Sequence, residues 1–133
     1  MTQMSTDTPN EYEAETREGS RVRYELVLNL VRERTAVDED MPPTISSFDL
    51  LGRLRHRGVP HDYAKTAIRA ALDNDELVAF ESADGRRQLV TLAEPEHIRR
   101  AIADKADREH PRQDVIGYLN QVLQEVRDAD DDE

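Results

Sequence analysis

The sequence predicts a mainly helical α+β domain built around one β-hairpin and closed by further helices towards its C-terminal end. Three observations predict it. Residues 46–92, SSFDLLGRLRHRGVPHDYAKTAIRAALDNDELVAFESADGRRQLVTL, hold two stretches of apolar residues at helical spacing, split by Gly58-Val59-Pro60. Two β-prone runs, 77–80 and 89–92, then flank Asp84-Gly85. Asp-Gly between apolar runs marks a hairpin, because a type I′ turn needs positive φ at both central residues. Further on, Val115, Tyr118, Leu119, Val122, Leu123 and Val126 recur at i, i+3, i+4, i+7, i+8 and i+11, the cleanest amphipathic pattern in the chain.

Taken in order, residues 1–19 are polar and acidic and are expected to be disordered, since they bury too little apolar surface to offset chain entropy. Ser20 is the expected N-cap of a first helix to about Arg34. Tyr24, Val27, Leu28 and Val31 form one stripe on it, widened by Val22, Leu26 and Leu30, so it needs cover on two sides. Residues 35–43 read as an acidic loop, and Thr44-Ile45 as either a short strand on the hairpin or plain loop. Ser46 or Ser47 caps a second helix with apolar positions Phe48, Leu50, Leu51 and Leu54, ended by Gly58. The third helix starts near Pro60 and turns Ala64, Ala67, Ile68, Ala71 and Leu72 to one side, until Asp73-Asn74-Asp75 breaks the pattern.

A two-residue loop at Asp84-Gly85 pairs Ala83 with Arg86 and Phe80 with Leu89. One face of the hairpin then carries Val78, Phe80, Leu89 and Thr91, and the other Leu77, Ala79, Val90 and Leu92. Both faces are apolar at the base, so both need cover there. Glu94 and Pro95 open a fourth helix to about Glu109, with Ile98, Ala101, Ile102 and Ala106 on one side. The last helix runs from about Pro111 to Arg127. Residues 128–133 are an acidic tail set against a helix C-terminus, where negative charge is unfavourable and fraying is expected. The expected division is thus a disordered segment 1–19, a core domain 20–93, a helical extension 94–127 and a tail 128–133.

The chain is long enough for one domain, carries a net charge of −11 and takes nearly all its positive charge from arginine, with Lys65 and Lys105 the only lysines. This balance resembles that of proteins from salt-accumulating halophiles, whose carboxylates keep the surface hydrated at high salt. The plainer alternative is an ordinary acidic cytosolic protein. Absence of cysteine excludes a disulfide framework, and no apolar run approaches the roughly 20 residues of a membrane span. The acidic, polar start does not resemble a signal peptide, and a cytoplasmic location is expected.

Two helices joined by a few residues containing glycine and followed by a hairpin resemble a winged helix-turn-helix domain. With residues 24–31 as the preceding helix, the resemblance covers about half the chain and rests on element order and spacing. It implies that the helix near 61–72 is the recognition helix and that residues 83–87 are the tip of the wing. It also implies double-stranded DNA as partner. Charge is unevenly spread: between residues 51 and 72 stand Arg53, Arg55, Arg57, Lys65 and Arg69 against the single acid Asp62, and the hairpin tip adds Arg86 and Arg87. Lys65, Thr66 and Arg69 lie off the apolar face of their helix and should point outwards, with His61 and Tyr63 near its start. Arginine and lysine suit phosphate, and arginine also reads guanine edges in bidentate fashion. The resulting expectation is a DNA-binding transcriptional regulator; the alternative is a winged helix serving as a protein–protein adaptor. A chain of −11 is repelled by a polyanion, so binding should rest on a local patch and base contacts, with a weak dependence on salt.

No glycine-rich phosphate loop, nucleophile elbow or HExxH motif is present, and neither enzymatic activity nor a cofactor is expected. His56 and His61 straddle the inter-helix turn, but without cysteine or a two-histidine helical spacing they read as surface residues and no metal site is expected. The last helix either folds back over residues 24–31 or forms a two-fold homodimer through Val115, Tyr118, Leu119, Val122, Leu123 and Val126. The dimer is the expectation, because the apolar surface of the outer helices looks too large for one small body.

Overall fold

The computed structural model describes residues 11–13, 15–35, 43–82 and 84–131. It is mainly helical with one small antiparallel sheet, as the α+β reading anticipated. Helix α1 (Arg17–Arg34) is followed by strand β1 (Ile45–Ser46), α2 (Ser47–His56), α3 (His61–Asp73), β2 (Leu77–Glu81), β3 (Gln88–Leu92), α4 (Pro95–Ala106) and α5 (Gln113–Asp131).

Helix α1 starts earlier than expected. Thr16, not Ser20, is its N-cap, and the Thr16 hydroxyl accepts from the Gly19 N–H at 2.9 Å. Glu18 in the first turn pairs with Arg21 and suits the positive end of the helix. A single turn of 3-10 helix at Glu11–Glu13 precedes it, and Tyr12 packs against the core. Helical structure therefore begins inside the segment 1–19 expected to be disordered; residues 1–10 and 14 lie outside the described residues. So do residues 36–42, most of the expected acidic loop, and residues 132–133 of the tail. The broad apolar face of α1 is closed within the chain, against α2, α3 and β3.

The short strand exists one residue later than anticipated, with Ile45 opposite Val90 and Ser46 opposite Leu89. Ser46 also caps α2, accepting from the Asp49 N–H at 3.0 Å. At the other end of α2, Gly58 takes φ 98°, its N–H donates to Arg55 O, and the Val59 N–H donates to Leu54 O at 3.0 Å. This pair of bonds is the Schellman closure, with buried Val59 and Leu54 as its apolar contact. The same bonds recur after α3, from Asp75 to Leu72 and from Glu76 to Ala71, with Asp75 at φ 59° where glycine is usual.

The sheet has the order β1-β3-β2, and Phe80 faces Leu89 in the expected register. The turn differs from expectation. The Ser82 N–H donates to Arg87 O and the Gly85 N–H to Ser82 O, so the loop is longer than two residues. Gly85 has φ 72°, but among the described residues Asp75 is the only non-glycine at positive φ, so Asp84 does not form a type I′ turn. Ala83 lies outside the described residues. Asp84 does different work: its carboxylate accepts from the Ser82 hydroxyl at 2.5 Å and from the Arg86 N–H at 3.0 Å.

Both faces of the hairpin are covered, by different parts of the chain. Leu77, Val90 and Leu92 join the core made by α1, α2 and α3. Val78 and Phe80 join a second core with Ile98 and Ala101 of α4 and Val115 and Leu119 of α5. Helix α4 ends at Ala106, which is exposed; buried Lys105 takes the place expected for it, with its ammonium 5.6 Å from the Phe80 ring centroid. Helix α5 packs on α4 and β2. The fold-back envisaged over α1 is therefore replaced by one over the reverse of the sheet. Phe48 departs furthest from expectation: it is 81% exposed while Leu50 and Leu54 are fully buried. Once Ser46 sets the start of α2, the inward line falls on Leu50 and Leu54, four residues apart, and Phe48 stands off that line.

Leu119→Ala should lower unfolding stability by about 2–5 kcal/mol, since it empties a filled site between α5 and the sheet. Phe48→Ala should cost no more than about 0.5 kcal/mol. Urea unfolding at two protein concentrations checks both, and the Leu119 loss should not depend on concentration if the packing is within one chain.

Candidate nucleic-acid interface

Capping and packing turn one face of α3 to solvent. With Ala64, Ala67, Ile68 and Ala71 inward, Asp62, Lys65, Thr66, Arg69 and Asp73 follow one another along the outer surface at helical spacing. They form one wall of an open groove of about 930 Å³. Phe48 and Leu51 of α2 and Gln88 of β3 also line it. The groove thus combines two cations, two carboxylates, the hydroxyls of Ser47 and Thr66 and an exposed aromatic ring.

The remaining expected contact residues divide. Arg55 follows Phe48 and Leu51 along α2 at helical spacing and is exposed, but it does not line the groove. Arg53 and the C-cap Arg57, four residues apart, lie along another line of α2 and its end, so the three arginines do not form one clamp. Arg86 and Arg87 are exposed on the hairpin loop, and His61 is exposed at the start of α3. Tyr63 does not join them. It is half-buried, its ring lies under the Arg23 guanidinium at 4.2 Å, and its hydroxyl donates to Glu15. That hydrogen bond raises its pKa from the ordinary 10.0, so the hydroxyl remains a donor engaged with its own chain. Sequence spacing placed Tyr63 near the helix start without showing that the chain ahead of α1 returns to cover it.

Ion pairing separates these cations from some of the others, although Arg17, Arg32, Arg34 and Arg127 form no ion pair among the described residues either. Arg21, Arg99, Arg108 and Arg112 each hold carboxylates. Among the described residues, Arg53, Arg55, Arg57, Lys65, Arg69, Arg86 and Arg87 hold none, in a chain with 29 acids and 18 bases. No carboxylate holds any of them in an ion pair, although Asp84 lies close enough to Arg86 and Arg87 to interact with their charge and Asp62 and Asp73 share the groove with Lys65 and Arg69.

The hairpin loop that carries Arg86 and Arg87 is tethered from outside. Arg112, between α4 and α5, donates to Glu81 at 2.8 Å and to Ser82 O at 3.4 Å, and is itself held by Asp114 at 2.7 Å. A Cβ on Gly85 would meet the Arg112 guanidinium at 3.5 Å. Arg112 was not singled out by sequence reading, because its contact with Glu81 spans 31 residues and has no local pattern.

Of the expected dimerisation residues, Val115 and Leu119 are buried in their own chain. Val122, Leu123 and Val126 are half-buried, and Tyr118 is 46% exposed. Val115 and Leu119 are thus removed from water in cis, while Tyr118 and parts of Val122, Leu123 and Val126 keep surface exposed. Among the described residues no cluster of three or more histidine, aspartate or glutamate side chains has the arrangement to hold a metal ion. No described helix is long and apolar enough to cross a membrane. Compared with protein families, curated proteins and solved structures, the chain matches none.

The Ser82 hydroxyl, then the Arg86 N–H, hold the Asp84 carboxyl below its ordinary pKa of 3.8. A depressed acid contributes order above its ordinary range and loses it as pH falls through the lowered value. The loop should therefore be fully ordered at neutral pH and loosen only at pH below about 4. Hydrogen exchange at the Arg86 and Arg87 amides across pH, corrected for intrinsic rates, measures this. Arg112→Ala should speed that exchange already at neutral pH.

Proposed function

We propose that this chain is a winged helix-turn-helix DNA-binding protein that acts as a transcriptional regulator. Helix α3 is the recognition helix and the loop between β2 and β3 is the wing. The order of helices, strand and hairpin supports the fold reading. The observation that carries the functional one is the set of exposed cations on α3, α2 and the loop that hold no carboxylate in so acidic a chain. In this reading Arg69 lies in the major groove and donates in bidentate fashion to a guanine edge, while Lys65 meets phosphate. Thr66 adds a hydroxyl contact, and Phe48 offers an apolar surface to a thymine methyl. Asp62 and Asp73, at the two ends of the same face, repel phosphate and keep the ends of α3 off the backbone. Arg86 and Arg87 reach the backbone or minor groove from the wing. Few phosphates are neutralised, so affinity falls only gently with salt.

A second reading rests on the same groove. Phe48 at 81% exposure, with Leu51 and Leu72 beside it, gives an apolar surface that also suits a protein partner, as in a winged-helix adaptor.

Selection of duplexes from a random pool, followed by anisotropy titration, tests the DNA reading. Arg69→Ala should cost about 1–3 kcal/mol on the selected duplex and relax preference at one base pair. Lys65→Ala should weaken all duplexes alike and reduce the salt slope by about 1. No enrichment of any sequence by the folded chain would remove the DNA reading and leave the adaptor.

A further inference from the structure

Strand β2 is the outer strand on one side of the sheet, and its free edge opens into a second groove. The pairing of β2 with β3 runs through the Ser82·Arg87 bond, and the Ala93 N–H donates to Glu76 O. In an antiparallel ladder the bonded positions alternate, so Val78 and Phe80 bond to β3, while Leu77, Ala79 and Glu81 aim their N–H and C=O groups away from it. Among the described residues no strand takes those groups. Natural edges are usually blunted by proline, a bulge or an inward lysine. Leu77-Val78-Ala79-Phe80 carries none of these.

The groove along this edge holds about 570 Å³. Leu77 and Ala79 contribute to its floor, Tyr118, Val122 and Val126 of α5 form one wall, and Leu72 at the end of α3 forms the other. Its only charged lining residues are Asp75 and Glu125, and no cation lines it. We infer that the β2 edge binds an extended, alternately apolar and basic segment of another protein by strand addition. The unpaired backbone selects an extended chain, the apolar walls select alternate apolar side chains, and the two carboxylates select lysine or arginine between them. A second copy of this chain is the poorer occupant, because it would set the same two carboxylates against themselves in a molecule of net charge −11. This inference does not depend on DNA binding.

The test is a random peptide library selected on the immobilised full-length chain, with the winning peptides titrated by anisotropy. Alternating apolar and basic peptides should be enriched, and the Ala79 N–H should become protected from exchange when they bind. Ala79→Pro removes an outward N–H without touching a β2–β3 bond, and should weaken binding by about tenfold. Glu125→Lys, on the exposed face of α5, should also weaken it while leaving the circular dichroism spectrum unchanged, which keeps the test valid if the proline variant does not fold. The inference is overturned by no enrichment over an unrelated control protein, or by winners without basic residues. Binding unaffected by Glu125→Lys, or leaving the Ala79 amide unprotected, overturns it too. So does a dimer of the chain alone that Ala79→Pro dissociates.

Discussion

A two-stranded hairpin with apolar residues on both faces cannot stand in water by itself, and the rest of this chain answers that constraint. Leu77, Val90 and Leu92 require one cover, and Val78 and Phe80 require another. Helices α1 to α3 supply the first and helices α4 and α5 the second, so the sheet is a shared wall between two small cores. Burial of apolar area is what stabilises such an arrangement, at about 25 cal/mol per Å², and neither half completes it alone. The same constraint fixes the direction in which the hairpin loop projects. Its base is gripped on both sides, and Arg112 from the second half holds the start of the loop through Glu81 and Ser82.

The second organising feature is the division of charge. Carboxylates outnumber cations, yet they do not neutralise them evenly. Ion pairs gather at the start of α1, around α4 and around Arg112, while the cations of α2, α3 and the loop are exposed and form no ion pair among the described residues, nor do Arg32 on α1 and Arg127 on α5. In the proposed reading the acidic remainder discourages loose attachment to a polyanion, and the unpaired patch supplies local attraction. Specificity then leans on base contacts more than on backbone charge.

Local physics was the legible part of the sequence. The hairpin register followed from period-two alternation about Asp84-Gly85, and the stop of α2 at Gly58 from the need for positive φ. The inward face of α3 followed from the spacing of Ala64, Ala67, Ile68 and Ala71. What escaped depended on partners far along the chain. Tyr63 is engaged by Glu15 and Arg23, and Arg112 ties down a loop 30 residues away. The amphipathic stripe of α5 predicts a surface needing cover, but its pattern does not say which surface covers it; within this chain α4 and the reverse of the sheet bury Val115 and Leu119. Phe48 was misplaced for a different reason. With four apolar residues in seven positions, several lines along the helix compete for the interior, and Ser46 capping with Leu50 and Leu54 burial decides among them. The turn type departs from the Asp-Gly pattern because Asp84 uses its carboxylate to bind Ser82 and Arg86 and its backbone does not adopt positive φ.

The measurement that tests the central claim most directly is an NMR map of backbone amides in the full chain, titrated with a duplex selected from a random pool. The account predicts that shifts concentrate on the outward residues of α3, notably Lys65, Thr66 and Arg69, on Phe48, and on Arg86 and Arg87, with the acidic surface of α1 and α5 unmoved. Shifts spread evenly over the surface, or confined to the α5 side of the sheet, would contradict it.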